Sequence, residues 1–138
     1  MPDTRHFLTL LDFSPAELQH IVQRAIEMKQ EHRSGHDQRI FPGKVLGMIF
    51  AKSSTRTRVS FEAGMAQLGG TTIYLEREQT QLARNEPIAD TSRVLSRYVD
   101  GVVLVIESER TTSQDLKKMM LRLKEANIIG TVLNKSRG

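Results

Sequence analysis

The run Val45-Leu46-Gly47-Met48-Ile49-Phe50, followed by Ser53-Ser54-Thr55-Arg56-Thr57-Arg58, decides the fold of this chain. The first run is apolar throughout and predicts a buried strand over residues 44–50. The second run opens a predicted helix that extends to about residue 68 and ends at a pair of glycines. Hydroxyls, two arginines and the free N–H groups of a helix start therefore meet at the carboxyl end of a strand. An open α/β sheet binds its ligands at this place, and these residue types suit a phosphate group.

Strands and helices alternate along the rest of the 138-residue chain. A first helix is predicted from Ser14, which forms a capping box with Glu17, to about Arg33. The further predicted elements are strands over 71–75, 102–106 and 128–133, a third helix over 87–98 and a fourth helix from Thr112. This alternation predicts a parallel sheet covered by helices. The fold class is therefore α/β, a three-layer sandwich with a four-stranded parallel sheet and a flavodoxin- or Rossmann-like layout, formed by residues 1–138 as one domain.

The composition excludes several classes of protein. The chain has no cysteine, which rules out disulfides and thiolate metal sites. No run approaches the ~20 apolar residues that span a bilayer, and the N-terminus lacks a signal sequence, so we expect a cytoplasmic protein with no membrane partner. The net charge of +4 is spread out and aromatics make up 5% of the chain, a pattern that argues against nucleic-acid binding. His32 and His36 lie at a polar helix end, and we interpret them as solvated rather than as metal ligands. We predict no metal and no cofactor.

On the residues alone, the run 53–58 has two interpretations. A helix N-terminus attracts an exposed anion by roughly 0.3–1 kcal/mol, and Arg56 can add a planar fork to phosphate oxygens. The alternative is a capped helix with solvated arginines. A nucleotide P-loop is excluded because no G-x-x-x-x-G-K-S/T motif follows a strand, and no Ser-His-Asp arrangement is present, so no catalytic residue is predicted. The polar loop over 80–87 has the character of an ordinary exposed connection.

Residues 5–101 closely resemble the N-terminal, carbamoyl-phosphate-binding domain of bacterial ornithine carbamoyltransferases. The matching stretches are 6–8, 11–18, 47–65 with its Ser-Thr-Arg-Thr-Arg motif, and 90–97. The resemblance implies a sheet order of 2-1-3-4 and a possible homo-oligomer, since the family forms trimers. It also implies a role for several residues: Ser54, Thr55, Arg56 and Thr57 would hold the phosphate of carbamoyl phosphate, Gln81 would reach the site of a neighbouring subunit, and Arg58 would be structural and paired with Glu62.

The chain departs from the family pattern after residue 101. Val105 occupies the position where the family is expected to place an arginine that contacts carbamoyl phosphate, and losing one such donor typically costs ~10²–10³ in rate. The family's His-Pro-Thr-Gln and His-Cys-Leu-Pro motifs and its ornithine-binding domain are also missing. Residues 100–136 instead resemble the late strand–helix–strand segment of P-loop tyrosine autokinases from polysaccharide export systems. The kinase's Walker A loop and catalytic aspartates are absent, so kinase activity is not expected.

Three functional interpretations remain open. The first is a domain derived from ornithine carbamoyltransferase that binds carbamoyl phosphate or another phosphate-type anion but is catalytically inactive. The second is an engineered chimera of two α/β fragments, 1–101 carbamoyltransferase-like and 102–138 kinase-like, with no ligand or enzymatic function. The third is a complete transferase that needs a partner chain to supply the ornithine domain.

Overall fold

The computed structural model describes residues 7, 9–36, 38–51, 53–76, 94–107, 112, 114, 121 and 128–134. Its centre is a parallel sheet in the order β2-β1-β3-β4. The strands are β1 (Val45–Phe50), β2 (Thr71–Glu76), β3 (Gly101–Glu107) and β4 (Ile128–Asn134). The predicted α/β fold with a parallel sheet is therefore confirmed.

The described helices begin close to where the sequence predicts them. A short 3-10 helix (Leu10–Asp12) precedes α1 (Pro15–Arg33), and α2 (Thr55–Gln67) joins β1 to β2. The predicted capping box of α1 is confirmed: the backbone N–H of Ser14 donates to Glu17 Oε2 at 2.8 Å, and the backbone N–H of Glu17 donates to Ser14 Oγ at 3.3 Å. Residues 94–98 form a further helical segment, α3. The start of the predicted third helix and most of the fourth lie outside the described residues, although Gln114 and Leu121 are helical.

The hydrophobic core lies on both faces of the sheet because side chains alternate along β1 and β3. On one face, Met48, Phe50 and Val105 are almost fully buried and pack beneath Phe61 and Met65 of α2. On the other face, the buried residues of the two strands pack against the α3 region, and the cluster there comprises Ile49, Leu95, Val99, Val102 and Leu104. Helical residues therefore cover both faces of the sheet, and this explains why the sequences of β1 and β3 are almost continuously apolar.

The strand order creates a switch point between β1 and β3. From β1 the chain passes through α2 to β2 on one side, whereas β3 lies on the other side of β1. Connections that leave neighbouring strands in opposite directions open a crevice at the carboxyl ends of those strands. The Ser-Thr-Arg-Thr-Arg run begins at this end of β1.

The opposite end of β1 is tied to β3 by Asp100. Its carboxylate accepts hydrogen bonds from Lys44 Nζ at 2.7 Å and from the backbone N–H of Val45 at 2.8 Å. Both hydrogen bonds lower the pKa of the Asp100 carboxyl below its ordinary value, and the bond from Lys44 has the larger effect. In return, the backbone N–H of Asp100 donates to Val45 O at 2.9 Å. We call this set of contacts the Asp100 strap.

Helix α1 leaves its apolar side chains largely exposed. The sequence places Ile21, Val22 and Ile26 on one face of this helix, and they are 41%, 60% and 47% exposed. The partly buried side of α1 instead carries Arg24, whose Nη2 donates to Gln38 Oε1 at 2.7 Å. The apolar face of α1 therefore does not pack into the hydrophobic core that the described residues form. None of the described helices combines the length and apolar character needed to cross a membrane.

Candidate functional site

The sheet positions the start of α2 at the carboxyl end of β1. Pairing with β3 continues one residue past the strand, because the backbone N–H of Ala51 donates to Val105 O at 2.9 Å. Ser54 then takes an extended conformation, with φ −145° and ψ 101°, and is the N-cap of α2. Its carbonyl accepts the first helical hydrogen bond, from the backbone N–H of Arg58 at 3.0 Å. The chain therefore turns from strand into helix at the crevice.

The N-terminus of α2 lacks a side-chain cap. A helix cannot satisfy the N–H groups of its first turn internally, and the Ser54 side chain accepts no hydrogen bond from them. Its hydroxyl donates instead to Thr57 Oγ1 at 3.0 Å. The first turn also contains no acidic residue. Backbone N–H donors and two hydrogen-bonded hydroxyls therefore lie at the positive end of the helix dipole, and the first turn contains no carboxylate. This arrangement favours the binding of an anion.

Arg58 lies one turn further along α2 and is held by two neighbours. Its Nε donates to Glu62 Oε1 at 2.9 Å, and its guanidinium carbon lies 4.1 Å from the centre of the Tyr74 ring. The ring of Tyr74 in turn packs edge-on against Phe50, with centroids 5.0 Å apart. The contact with Glu62 agrees with the predicted pairing, whereas the contact with Tyr74 was not anticipated. A half-exposed pair of this kind stabilises a helix by only about 0.3–0.5 kcal/mol.

A cleft of about 390 Å³ runs beside the start of α2 toward β2. Its lining residues come from the approach to α2, from one face of that helix and from β2, and they are Ser53, Ser54, Thr55, Arg58, Val59, Glu62 and Tyr74. Two of the predicted phosphate ligands, Ser54 and Thr55, are therefore among the lining residues. Arg56 and Thr57 are not, although they belong to the same helical turn.

The predicted site residues differ in their exposure. Thr55 and Arg56 are exposed, whereas Ser54 and Thr57 are half-buried. The structure brings these four together in the first turn of α2, and their role as phosphate ligands stays a prediction. Gln81 lies outside the described residues. Tyr74 was missed because nothing in its local sequence distinguishes it from other strand residues; only the pairing of β2 with β1 brings it beside Arg58.

Val105 is buried at the position where the resemblance led us to expect an arginine. Its side chain is 1% exposed and packs with Met48 and Phe50 under α2. An apolar side chain in this setting offers no hydrogen-bond donor to a ligand at the carboxyl end of the sheet.

A second groove, of about 400 Å³, lies between α1 and α2 and includes His32 and His36. Both histidines are exposed. Across the described part of the chain, no group of three His, Cys, Asp or Glu side chains is placed to hold a metal ion.

Comparison with known proteins extends the resemblance over nearly the whole chain. A family model described as aspartate/ornithine carbamoyltransferase, carbamoyl-P binding domain, matches residues 5–134. The ornithine carbamoyltransferase of Halorhodospira halophila is 57% identical over 100 residues, which cover 72% of this chain and 33% of that protein. The enzyme of the same name from Hydrogenovibrio crunogenus is 45% identical over 128 residues, which cover 93% of this chain and 41% of that protein.

A solved structure agrees with these matches. The ornithine carbamoyltransferase from Pyrococcus furiosus superposes with a TM-score of 0.75 and 40% identity, covering 96% of this chain and 40% of that one. The chain therefore spans about a third to two-fifths of the length of the relatives it matches.

The comparisons give no support to a kinase-like segment or to a junction near Gly101. An alignment of 128 residues in a chain of 138 has to continue well past that position, and the family model extends to residue 134. The segment after Gly101 also supplies β3 and β4 of the same sheet. The kinase resemblance reflects a strand–helix–strand pattern that many α/β proteins share. Since the family model covers nearly all of its length, this chain belongs to the aspartate/ornithine carbamoyltransferase family, within the part described as the carbamoyl-phosphate-binding domain.

Proposed function

We propose that this chain binds carbamoyl phosphate, or a related phosphate-type anion, at the N-terminus of α2. The observation that carries the proposal is the uncapped start of this helix at the carboxyl end of β1, in a family model named for carbamoyl phosphate binding. The proposed ligands are Ser54, Thr55, Arg56 and Thr57.

The chemistry of these residues suits a phosphate group. The first-turn N–H groups of α2 donate to phosphate oxygens, and the hydroxyls of Ser54, Thr55 and Thr57 add further donors. Arg56 supplies a planar guanidinium that can bind two oxygens at once. Arg56 is exposed, and we propose that its side chain binds the ligand from the solvent side.

We further propose that the chain binds carbamoyl phosphate but does not catalyse carbamoyl transfer. Carbamoyl transfer needs a donor that polarises the carbamoyl carbonyl, and the buried Val105 offers none at the position where the family pattern places an arginine. Removing one donor of this kind typically costs ~10²–10³ in rate. The relatives are named ornithine carbamoyltransferases, and the chain spans only 33% to 41% of their length. Assembly into an oligomer, in which Gln81 reaches the site of a neighbouring subunit, belongs to the same proposal.

Isothermal titration with carbamoyl phosphate and with inorganic phosphate tests the binding step. Arg56→Ala is expected to weaken both ligands about tenfold or more, because it removes charge-assisted hydrogen bonds. Arg33→Ala, at an exposed arginine in the last turn of α1, is the matched control and should leave binding unchanged. Failure of the unaltered chain to bind, or equal binding in the Arg56 variant, would remove the claim. Citrulline formation from carbamoyl phosphate and ornithine would contradict the proposed inactivity.

A further inference from the structure

The position of Arg58 is not explained by its contribution to helix stability. In an isolated helix, a pair with the acid on the N-terminal side is the more favourable order, whereas here Arg58 precedes Glu62. The two side chains are also 46% and 37% exposed, and exposed pairs contribute little. The ring of Tyr74 nevertheless adds a second contact to the same guanidinium, at 4.1 Å.

Geometry associates the charge of Arg58 with the proposed anion site. Thr55 and Arg58 are three residues apart and therefore share one face of α2, and both line the cleft beside the helix start. Side chains on a helix lean toward its N-terminus, and the Glu62 carboxylate reaches back one turn to accept a hydrogen bond from Arg58 Nε at 2.9 Å. Arg56, the arginine expected to bind phosphate, does not line this cleft.

We propose that Arg58 is a second cation of the anion site, that Tyr74 positions its guanidinium, and that Glu62 weakens anion binding by offsetting its charge. The inference rests on the proposed function and deepens it. The Tyr74 ring holds the guanidinium through a cation–π contact without neutralising it. The Glu62 carboxylate lines the same cleft and repels a phosphate that enters it.

Calorimetric titration of inorganic phosphate at low salt separates the three roles. Arg58→Ala is expected to raise the Kd about threefold to tenfold and to reduce its dependence on NaCl concentration. Tyr74→Leu should raise the Kd about threefold because the cation–π contact is lost. Tyr74→Phe keeps the ring and should restore the Kd of the unaltered chain.

Glu62→Gln provides the sharpest test because it is expected to improve binding. The amide keeps an acceptor for Arg58 but removes the charge, so the Kd should fall about twofold to fivefold and its salt dependence should increase. Glu27→Gln is the matched control, because it removes the same charge from a pair on α1, where Arg24 Nη1 lies 3.3 Å from Glu27 Oε2. The control should leave the Kd unchanged, and thermal unfolding without phosphate verifies that each variant is folded.

The possible outcomes distinguish this inference from the proposed function. If the unaltered chain binds phosphate but Arg58→Ala leaves the Kd unchanged, the inference is overturned and the proposed function stands. The same conclusion follows if Glu62→Gln weakens binding or has no more effect on the Kd than Glu27→Gln. If the unaltered chain does not bind phosphate at all, both fail. Should Tyr74→Leu not fold, the Arg58 and Glu62 variants still decide the result, since both side chains are partly exposed.

Discussion

Gly70 shows how a single residue without a side chain fixes the connection from α2 to β2. Its backbone N–H donates to Met65 O at 2.8 Å, and the residue is buried. A Cβ atom built at this position would collide with Met65 Cε and would lie 3.1 Å from Lys44 O and 3.3 Å from Phe41 O. The Met65 side chain is flexible and can move aside, but both carbonyls already accept backbone hydrogen bonds. Lys44 O accepts from the N–H of Thr71 at 2.9 Å, and Phe41 O accepts from the N–H of Lys44 at 3.1 Å.

Gly70→Ala is therefore expected to lower the free energy of unfolding by about 1–3 kcal/mol, as overpacking does elsewhere. Gly64→Ala is the matched control, because a Cβ at that position in α2 meets nothing within 4 Å. The control should stabilise the protein by up to about 1 kcal/mol, since alanine is the better helix former. Urea denaturation measures both changes. Equal stability of the two variants would show that the backbone around Gly70 yields easily.

Among the elements, β1 and β3 are joined at both ends. At the carboxyl end, the backbone N–H of Ala51 bonds to Val105 O, and at the amino end the Asp100 strap holds Lys44 and Val45. Both hydrogen bonds to the Asp100 carboxylate favour its ionised form, which is why its pKa is lowered. The stability that the strap contributes is complete above the pKa of the unfolded chain, about 3.9. It is lost as the pH falls through the lowered value of the folded protein.

Asp100→Asn is expected to lower the urea midpoint at pH 7, because the amide carries no charge to attract Lys44 and has one acceptor oxygen where the carboxylate uses two. The difference from the unaltered chain should shrink as the pH falls below about 4 and nearly vanish once the carboxyl is protonated in both states. Urea titrations at a series of pH values measure this convergence. A difference that stays constant down to low pH would mean that the contribution of Asp100 does not depend on its charge.

The elements also show which features local sequence can predict. The apolar run of β1, the helix start after Ser54 and the capping box at Ser14 are local signals, and the structure contains all three. The exposure of Ile21 and Val22 on α1 was not predictable, because periodicity identifies an apolar face but not what covers it. Likewise, Tyr74 becomes part of the candidate site only through the register of β2 against β1.

The resemblance after residue 101 shows a different limit. A strand–helix–strand sequence suits many α/β proteins, so its local pattern matched a kinase segment as well as a carbamoyltransferase. The family model matches residues 5–134 and one relative aligns over 128 residues, so a single family matches the sequence on both sides of residue 101. Val105, where the resemblance led us to expect an arginine, is buried beneath α2.

At the scale of the whole molecule, the sheet joins the N-terminal and C-terminal parts of the chain. β3 lies between β1 and β4, and its residues Val102 to Ile106 are all buried. Leu104 is 0% exposed and packs with Ile49 of β1 and Leu95 of α3. A cavity at Leu104 should therefore be felt by elements on both sides of it, and we expect the chain to unfold in one cooperative transition.

Leu104→Ala is expected to destabilise the protein by about 2–5 kcal/mol, the usual range for a buried leucine. The chain contains no tryptophan and two tyrosines, Tyr74 on β2 and Tyr98 on α3, so tyrosine fluorescence reports on those two elements. Far-UV circular dichroism follows the helices, and hydrogen exchange of peptides from β4 follows the last strand. The unfolding midpoints from all three signals should shift together. Leu11→Ala is the control: its side chain is 94% exposed, so it should change stability by no more than about 0.5 kcal/mol. If the β4 peptides lost protection separately from the tyrosine signal, the C-terminal segment would be an independent folding unit and the single-domain interpretation would be wrong.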